Sequence, residues 1–164
     1  MSSFLRVPKW DVGQVRHADS AFKGATNFNS GGPGEGGFWD NGFANLKTMT
    51  SMFEGATNFD RDINSWDVSG VTDMTAVFKG ATVFTQSLNN WNVDNVRHMI
   101  SMFEGASNFN GDIIGWDVSG VWNMQNMRCG VWSIQIAVHH GQCWMVEFTF
   151  KPTLTHTLQA HSRL

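Results

Sequence analysis

Apolar residues return along this chain at intervals of 25 positions. The short periods of about 2 or about 3.6 that mark an isolated strand or helix are secondary to that spacing. Units run from Leu46 to Gly70, Val71 to Asn95 and Val96 to Gly120 with no gap between them. An earlier unit opens at Val15 and takes 31 residues to reach Leu46, because the segment SGGPGEGGFWDNG, residues 30–42, interrupts it. A last unit opens at Val121 and decays. Position 4 of the unit holds Met49, Met74, Met99 and Met124, and position 8 holds Phe22, Phe53, Phe78 and Phe103. Position 14 holds Phe28, Phe59, Phe84 and Phe109, position 21 holds Trp66, Trp91 and Trp116, and position 23 holds Val68, Val93 and Val118. Position 10 is Gly24, Gly55, Gly80 and Gly105.

Columns that keep both size and polarity are what stacking demands. One unit of this length cannot bury its own apolar face, so its neighbours must cover it. The Phe, Trp and Met columns therefore read as core rather than as ligand-binding groups. Within a unit, Trp-Asp-Val alternates inward and outward, which predicts a short strand. Met74, Val77 and Phe78 have the spacing of a helical turn, and Gly80 suits a left-handed stop. The expected fold is an α/β repeat solenoid, leucine-rich-repeat-like, with short parallel strands on one face and short helices on the other. Residues 1–128 form the repeat region, with units near 15–45, 46–70, 71–95 and 96–120, a partial unit 121–128 and the glycine-rich insertion 30–42. Residues 129–164 form a divergent tail.

Position 9 alternates in sign, through Lys23, Glu54, Lys79 and Glu104. If the coils stack in order, each Lys lies beside acidic neighbours, and such surface pairs bear on register more than on stability.

The pattern M-x-x-M-F-x-G-A-x-x-F-(N/D)-x-x-I-x-x-W-D-V-S-x-V runs from Met49 to Val71 and again from Met99 to Val121. It resembles the BspA-like leucine-rich repeat surface proteins, also known by the DUF285 or 25–26-residue surface protein repeat. The likeness covers about residues 10 to 128. It implies a leucine-rich-repeat solenoid used for adhesion or protein–protein contact, on a cell surface or secreted, with no catalytic residues to carry over. The insertion after Asn29 and Arg128 at position 8 of the last unit depart from the pattern. The N-terminus MSSFLRVPKW also lacks the apolar stretch of a secretory signal.

The tail holds both cysteines, Cys129 and Cys143, and four of the six histidines. Trp132, Ile134, Ile136 and Val138 alternate with polar or small residues, as do Trp144, Val146, Phe148 and Phe150, around His139-His140-Gly141. Three readings stand: a C-terminal β-hairpin cap, a degenerate last coil, and non-native or disordered sequence. His139, His140 and Cys143 match no zinc spacing, so no metal site is expected there.

Charge narrows the functional classes. Net charge is −3 and charged residues make up 15% of the chain, so no basic field exists for a phosphate backbone, and nucleic acid is not an expected partner. No segment reaches the roughly 18 apolar residues of a membrane span. Catalytic motifs are missing, and no cofactor is expected. The carboxylates Asp62, Asp67, Asp112 and Asp117 repeat from unit to unit, whereas an active site is made once. A Ca²⁺ site beside Asp60 and Asp62 would lack the EF-hand sequence. The expected function is a non-catalytic interaction or adhesion module. Its candidate binding face is the row of exposed strand positions Ser65, Asp67, Ser69, Asn90, Asn92, Asp94, Asp117 and Ser119, for a protein or cell-surface ligand. The alternative is a structural segment of a longer repeat array with no ligand of its own.

Overall fold

A computed structural model describes residues 11–29 and 43–127. Residues equivalent in the repeat lie on top of one another, and backbone hydrogen bonds join them coil to coil. The Met74, Ala76, Phe78 and Gly80 amides donate to the carbonyls of His98, Ile100, Met102 and Glu104 at 2.7–2.9 Å. The same rungs join the coils below: the Ser51, Phe53 and Gly55 amides reach Thr75, Val77 and Lys79.

The expected helices and strands are not there. Among the described residues no helix occurs, and strand pairing is confined to the isolated parallel bridges His17↔Thr48, Asp73↔His98 and His98↔Asn123. The cause lies in the backbone. Position 6 takes a left-handed conformation in every coil: φ is 57° at Ser20, 55° at Ser51, 56° at Ala76, 55° at Ser101 and 55° at Asn126. A helix cannot pass through such a residue. In a helix the Phe78 amide would bond to the Met74 carbonyl. Instead it bonds to Met102 in the next coil, and the Met74 carbonyl takes the Val77 amide at 3.4 Å. Consecutive turns of this kind reproduce the apolar spacing that suggested a helix. The left-handed glycines at position 10 are present, with φ between 70° and 74°, but each closes a turn rather than a helix.

The Trp-Asp-Val segment is likewise a corner between turns. Trp91 donates to Leu88 at 3.0 Å and Val96 donates to Val93 at 2.9 Å, so its backbone curls back on itself instead of forming a ladder. Burial still alternates, with Trp91 and Val93 inside and Asn92 exposed. The insertion 30–42, the tail with its hairpin, cysteine and histidine readings, and Arg128 lie outside the described residues.

The core follows the columns. Phe53, Phe59, Phe78, Phe84, Phe103 and Phe109 are essentially buried. Within a coil the two phenyl rings stack, with centroids 3.9 Å apart for Phe53–Phe59 and 4.3 Å for Phe78–Phe84. Between coils the same column stacks again, 5.7 Å for Phe53–Phe78 and 5.5 Å for Phe78–Phe103. Trp91 and Trp116 lie parallel at 6.4 Å. Burying each such ring contributes about 1.5–3 kcal/mol, so these columns outweigh any surface ion pair in holding the coils together.

Position 9 resolves into pairs rather than a continuous charge ladder. Lys23 meets Glu54 at 2.9 Å, and Lys79 meets Glu104 at 3.0 Å.

Ala76 is the one left-handed position 6 filled by a residue with no polar side-chain atom. Replacing Ala76 with Gly removes the conformational penalty and raises stability by up to about 1 kcal/mol. A urea titration checks this, and a lower midpoint for Ala76→Gly would contradict the turn geometry.

Candidate functional site

The eight residues expected to form a binding face occupy positions 20, 22 and 24 of successive units. All are exposed except Ser69, which is half-buried. They are not strand residues, however, and three of them build turns. Asp67 Oδ1 accepts the Ser69 amide at 3.0 Å, Asn92 Oδ1 accepts the Asp94 amide at 3.0 Å, and Asp117 Oδ1 accepts the Ser119 amide at 2.9 Å. A short acceptor side chain two residues before the amide is the standard way to close such a corner. This explains why the column tolerates Asp or Asn equally. Position 17 repeats the device, where Asp62 and Asp112 accept the Asn64 and Ile114 amides at 2.9 Å and Ser87 replaces them with a hydroxyl.

Behind this edge the coils are tied by side chains that the apolar pattern did not reveal. Trp91 Nε1 donates to the Ile63 carbonyl at 2.9 Å, and Trp116 Nε1 donates to the Leu88 carbonyl at 2.8 Å. Each buried indole thus satisfies its own N–H on a carbonyl of the coil beneath that also accepts a backbone amide of its own coil. Asn64 Oδ1 accepts the Asn90 amide at 2.9 Å, and Asn89 Oδ1 accepts the Gly115 amide at 2.6 Å. The signal was available as a column, since Asn64 and Asn89 are 25 residues apart.

Asp67 is held below the usual carboxylate range, first by the Ser69 hydroxyl and amide and then by the charge of Lys47. Glu54 is lowered chiefly by its bond from Lys23, with help from Ser51. The carboxylates are therefore engaged as anions in local structure. Asp60 is equally occupied: it accepts the Thr85 amide at 2.8 Å, the Thr85 hydroxyl at 3.0 Å and the Gln86 amide nitrogen at 2.9 Å. Those donors occupy Asp60 Oδ1, and Oδ2 meets the Thr85 hydroxyl at 3.2 Å. No group of His, Cys, Asp and Glu suited to a metal ion occurs among the described residues.

One cluster has the residue types of a hydrolase triad. His17 Nδ1 lies 2.9 Å from Thr48 Oγ1, and Thr48 Oγ1 donates to Asp19 Oδ2 at 2.6 Å. Asp19 also accepts the Thr50 amide and hydroxyl at 2.8 Å and 2.7 Å. With the Thr48 proton given to the carboxylate, the hydroxyl oxygen is left to accept from His17 in the tautomer that carries a hydrogen on Nδ1. Partial burial works against the charge of Asp19, but the Thr48 and Thr50 bonds and His17 outweigh it and lower its pKa. The cluster joins coil 15–29 to coil 46–70.

A family model described as "Mycoplasma protein of unknown function, DUF285" matches residues 3–34 and 35–139. No curated protein and no solved structure matches the chain.

Two outcomes follow from these bonds. Trp91→Phe removes the Nε1 bond to the Ile63 carbonyl, which keeps the Trp66 amide at 3.1 Å, and opens a small void, at a cost of about 1–3 kcal/mol in a denaturant titration. An unchanged midpoint would refute the role given to the indole N–H. Asp67 is lowered in the folded state, so its stabilisation is present above the ordinary carboxylate range and is lost as pH falls below about 4. Asp67→Asn keeps the Oδ1 acceptor and has no such titration, so its stability falls less steeply between about pH 4 and pH 2. Parallel acid limbs for the two proteins would contradict this.

Proposed function

We propose that this chain, which belongs to the DUF285 family, is a non-catalytic binding module that meets a protein or cell-surface ligand along the edge carrying Ser65, Asp67, Ser69, Asn90, Asn92, Asp94, Asp117 and Ser119. The finer kinship, with BspA-like surface proteins that act in adhesion, belongs to the same reading. The observation that carries it is the repetition of one polar, mildly acidic edge coil after coil over a rigid aromatic core. Extended repeat surfaces of this kind are suited to broad, shallow contacts. The use of Asp62, Asp67 and Asp112 in turns, and of Thr48 in a bridge between coils, favours binding over chemistry at those groups. No helix among the described residues is long and apolar enough to cross a membrane.

Asp67, Asn92 and Asp117 hold corners, so altering them would confound binding with folding. The better test is Ser65→Lys, Asn90→Lys and Asp94→Lys together, which reverses the character of the edge and spares the corner acceptors. Surface plasmon resonance against unglycosylated matrix-protein domains should show saturable binding by the unaltered chain. The triple variant should bind at least about tenfold more weakly, about 1.4 kcal/mol. Equal affinity, or no saturable binding by the unaltered chain, would overturn the reading.

A further inference from the structure

Trp122 breaks the logic of the stack. Position 2 is held by Arg16, Lys47, Thr72 and Arg97 in the preceding coils, all hydrophilic. Trp122 is 76% exposed, while Trp66, Trp91 and Trp116 are buried. The core therefore does not require an indole here. Yet its position is fixed. The Trp122 amide donates to the Arg97 carbonyl at 2.8 Å. The Arg97 guanidinium lies over the indole at 5.9 Å from its centroid, and the His98 ring meets it edge-on at 6.1 Å and 87°. A large apolar face is thus held by polar neighbours and left to water.

Arg97 is itself anchored. Its Nη1 donates to the carbonyls of Asp94 at 3.0 Å, Val96 at 3.0 Å and Gly120 at 3.3 Å. Gly120 makes the last contact accessible, since a Cβ there would stand 2.6 Å from Nη1. Every one of these bonds leaves through a single nitrogen. Nε and Nη2 carry no hydrogen bond, and no carboxylate pairs with Arg97, among the described residues. A guanidinium held by one nitrogen presents the others as a fixed fork suited to a carboxylate.

We propose that Trp122 and Arg97 form a carbohydrate subsite for a sugar ring that bears a carboxylate, of the uronic acid class. The apolar C–H face of the pyranose would lie on the indole, and its carboxylate would reach the guanidinium around the ring edge. Size favours a sugar over a protein patch. One indole offers on the order of 200 Å², well under the roughly 800 Å² that each partner of a stable protein complex buries. The other large exposed apolar residue among those described is Ile114, at 63%. It stands in the column of Asn64 and Asn89, away from the position-2 column. The subsite shares with the edge that carries Ser65 to Ser119 only the backbone carbonyl of Asp94, which anchors Arg97.

The test uses the full chain with its tryptophan side chains labelled by ¹⁵N. The probes are a tetrasaccharide of alternating glucuronic acid and N-acetylglucosamine, a neutral glucose tetrasaccharide, and an Asp-rich hexapeptide. The acidic tetrasaccharide should shift the Trp122 indole resonance with a Kd on the order of 0.1–1 mM, at least about tenfold tighter than the neutral one. Both Trp122 variants lack the reporter indole, so their binding is read from saturation transfer to the sugar protons: Trp122→Ala should abolish it, and Trp122→Phe should retain part of it. Arg97→Gln should remove the preference for the acidic sugar, with thermal melts confirming that the coils remain folded; Arg97→Lys serves if they do not. The proposal is overturned if no resonance moves up to about 10 mM sugar. It also fails if Trp122→Ala binds unchanged, or if the peptide matches the acidic sugar. The double variant Ser65→Lys and Asn90→Lys, which leaves Asp94 on Arg97 untouched, should bind the tetrasaccharide normally, and this separates the proposal from the edge reading.

Discussion

The division of backbone amides between two destinations governs this structure. At positions 7, 9 and 11 the N–H turns back to a carbonyl three residues earlier in its own coil, and at positions 4, 6, 8 and 10 it reaches the coil above. Left-handed backbone at positions 6 and 10 makes that division geometrically achievable. A helix would keep all these bonds inside one segment, and a wide sheet would send all of them outward. The alternation lets a short unit close a turn and join its neighbour at once. The phenyl columns depend on it, because rings 5.5–5.7 Å apart can stack only if the backbones that carry them keep the same register.

Side-chain hydrogen bonds complete the same task on the other side of the coil. Trp91 and Trp116 carry their N–H groups into the core and spend them on the carbonyl beneath, so an aromatic column costs no unpaired donor. Asp67, Asn92 and Asp117 close the corners that bring those indoles inward. The outer edge is therefore a structural element and a presented surface at once. Residues between the corners, such as Ser65, Asn90 and Asp94, are the ones at liberty to vary without disturbing the coil.

Much of this was legible in the sequence, and the misses have physical reasons. Columns of constant size located the buried rings, because only stacked positions need the same volume in successive coils. The secondary structure misled. Met74, Val77 and Phe78 fit a helical turn and a run of three-residue turns equally well, and the residue that decides between them, Ala76, carries no glycine signal. The Trp-Asp-Val alternation gave burial correctly but not backbone pairing, since a corner closed by an Asx side chain also exposes every second residue. Trp122 departs from a hydrophilic column that the reading of the sequence did not single out. That column acquires meaning only once Arg97 and His98 are seen beside the indole.

The paired charges at position 9 give the array a parity. Lys23 grips Glu54 and Lys79 grips Glu104, while Glu54 and Lys79 share no direct bridge. The salt bridges thus fall two by two, although the Lys79 charge also acts on Glu54 and backbone bonds join every coil. Excising the coil 71–95 would lay Glu54 against Glu104, like facing like, whereas excising 46–95 would return Lys23 to Glu104. A gene of this design can lengthen or shorten by duplication in steps of two repeats with its charges still matched, and odd steps leave a flaw on the surface.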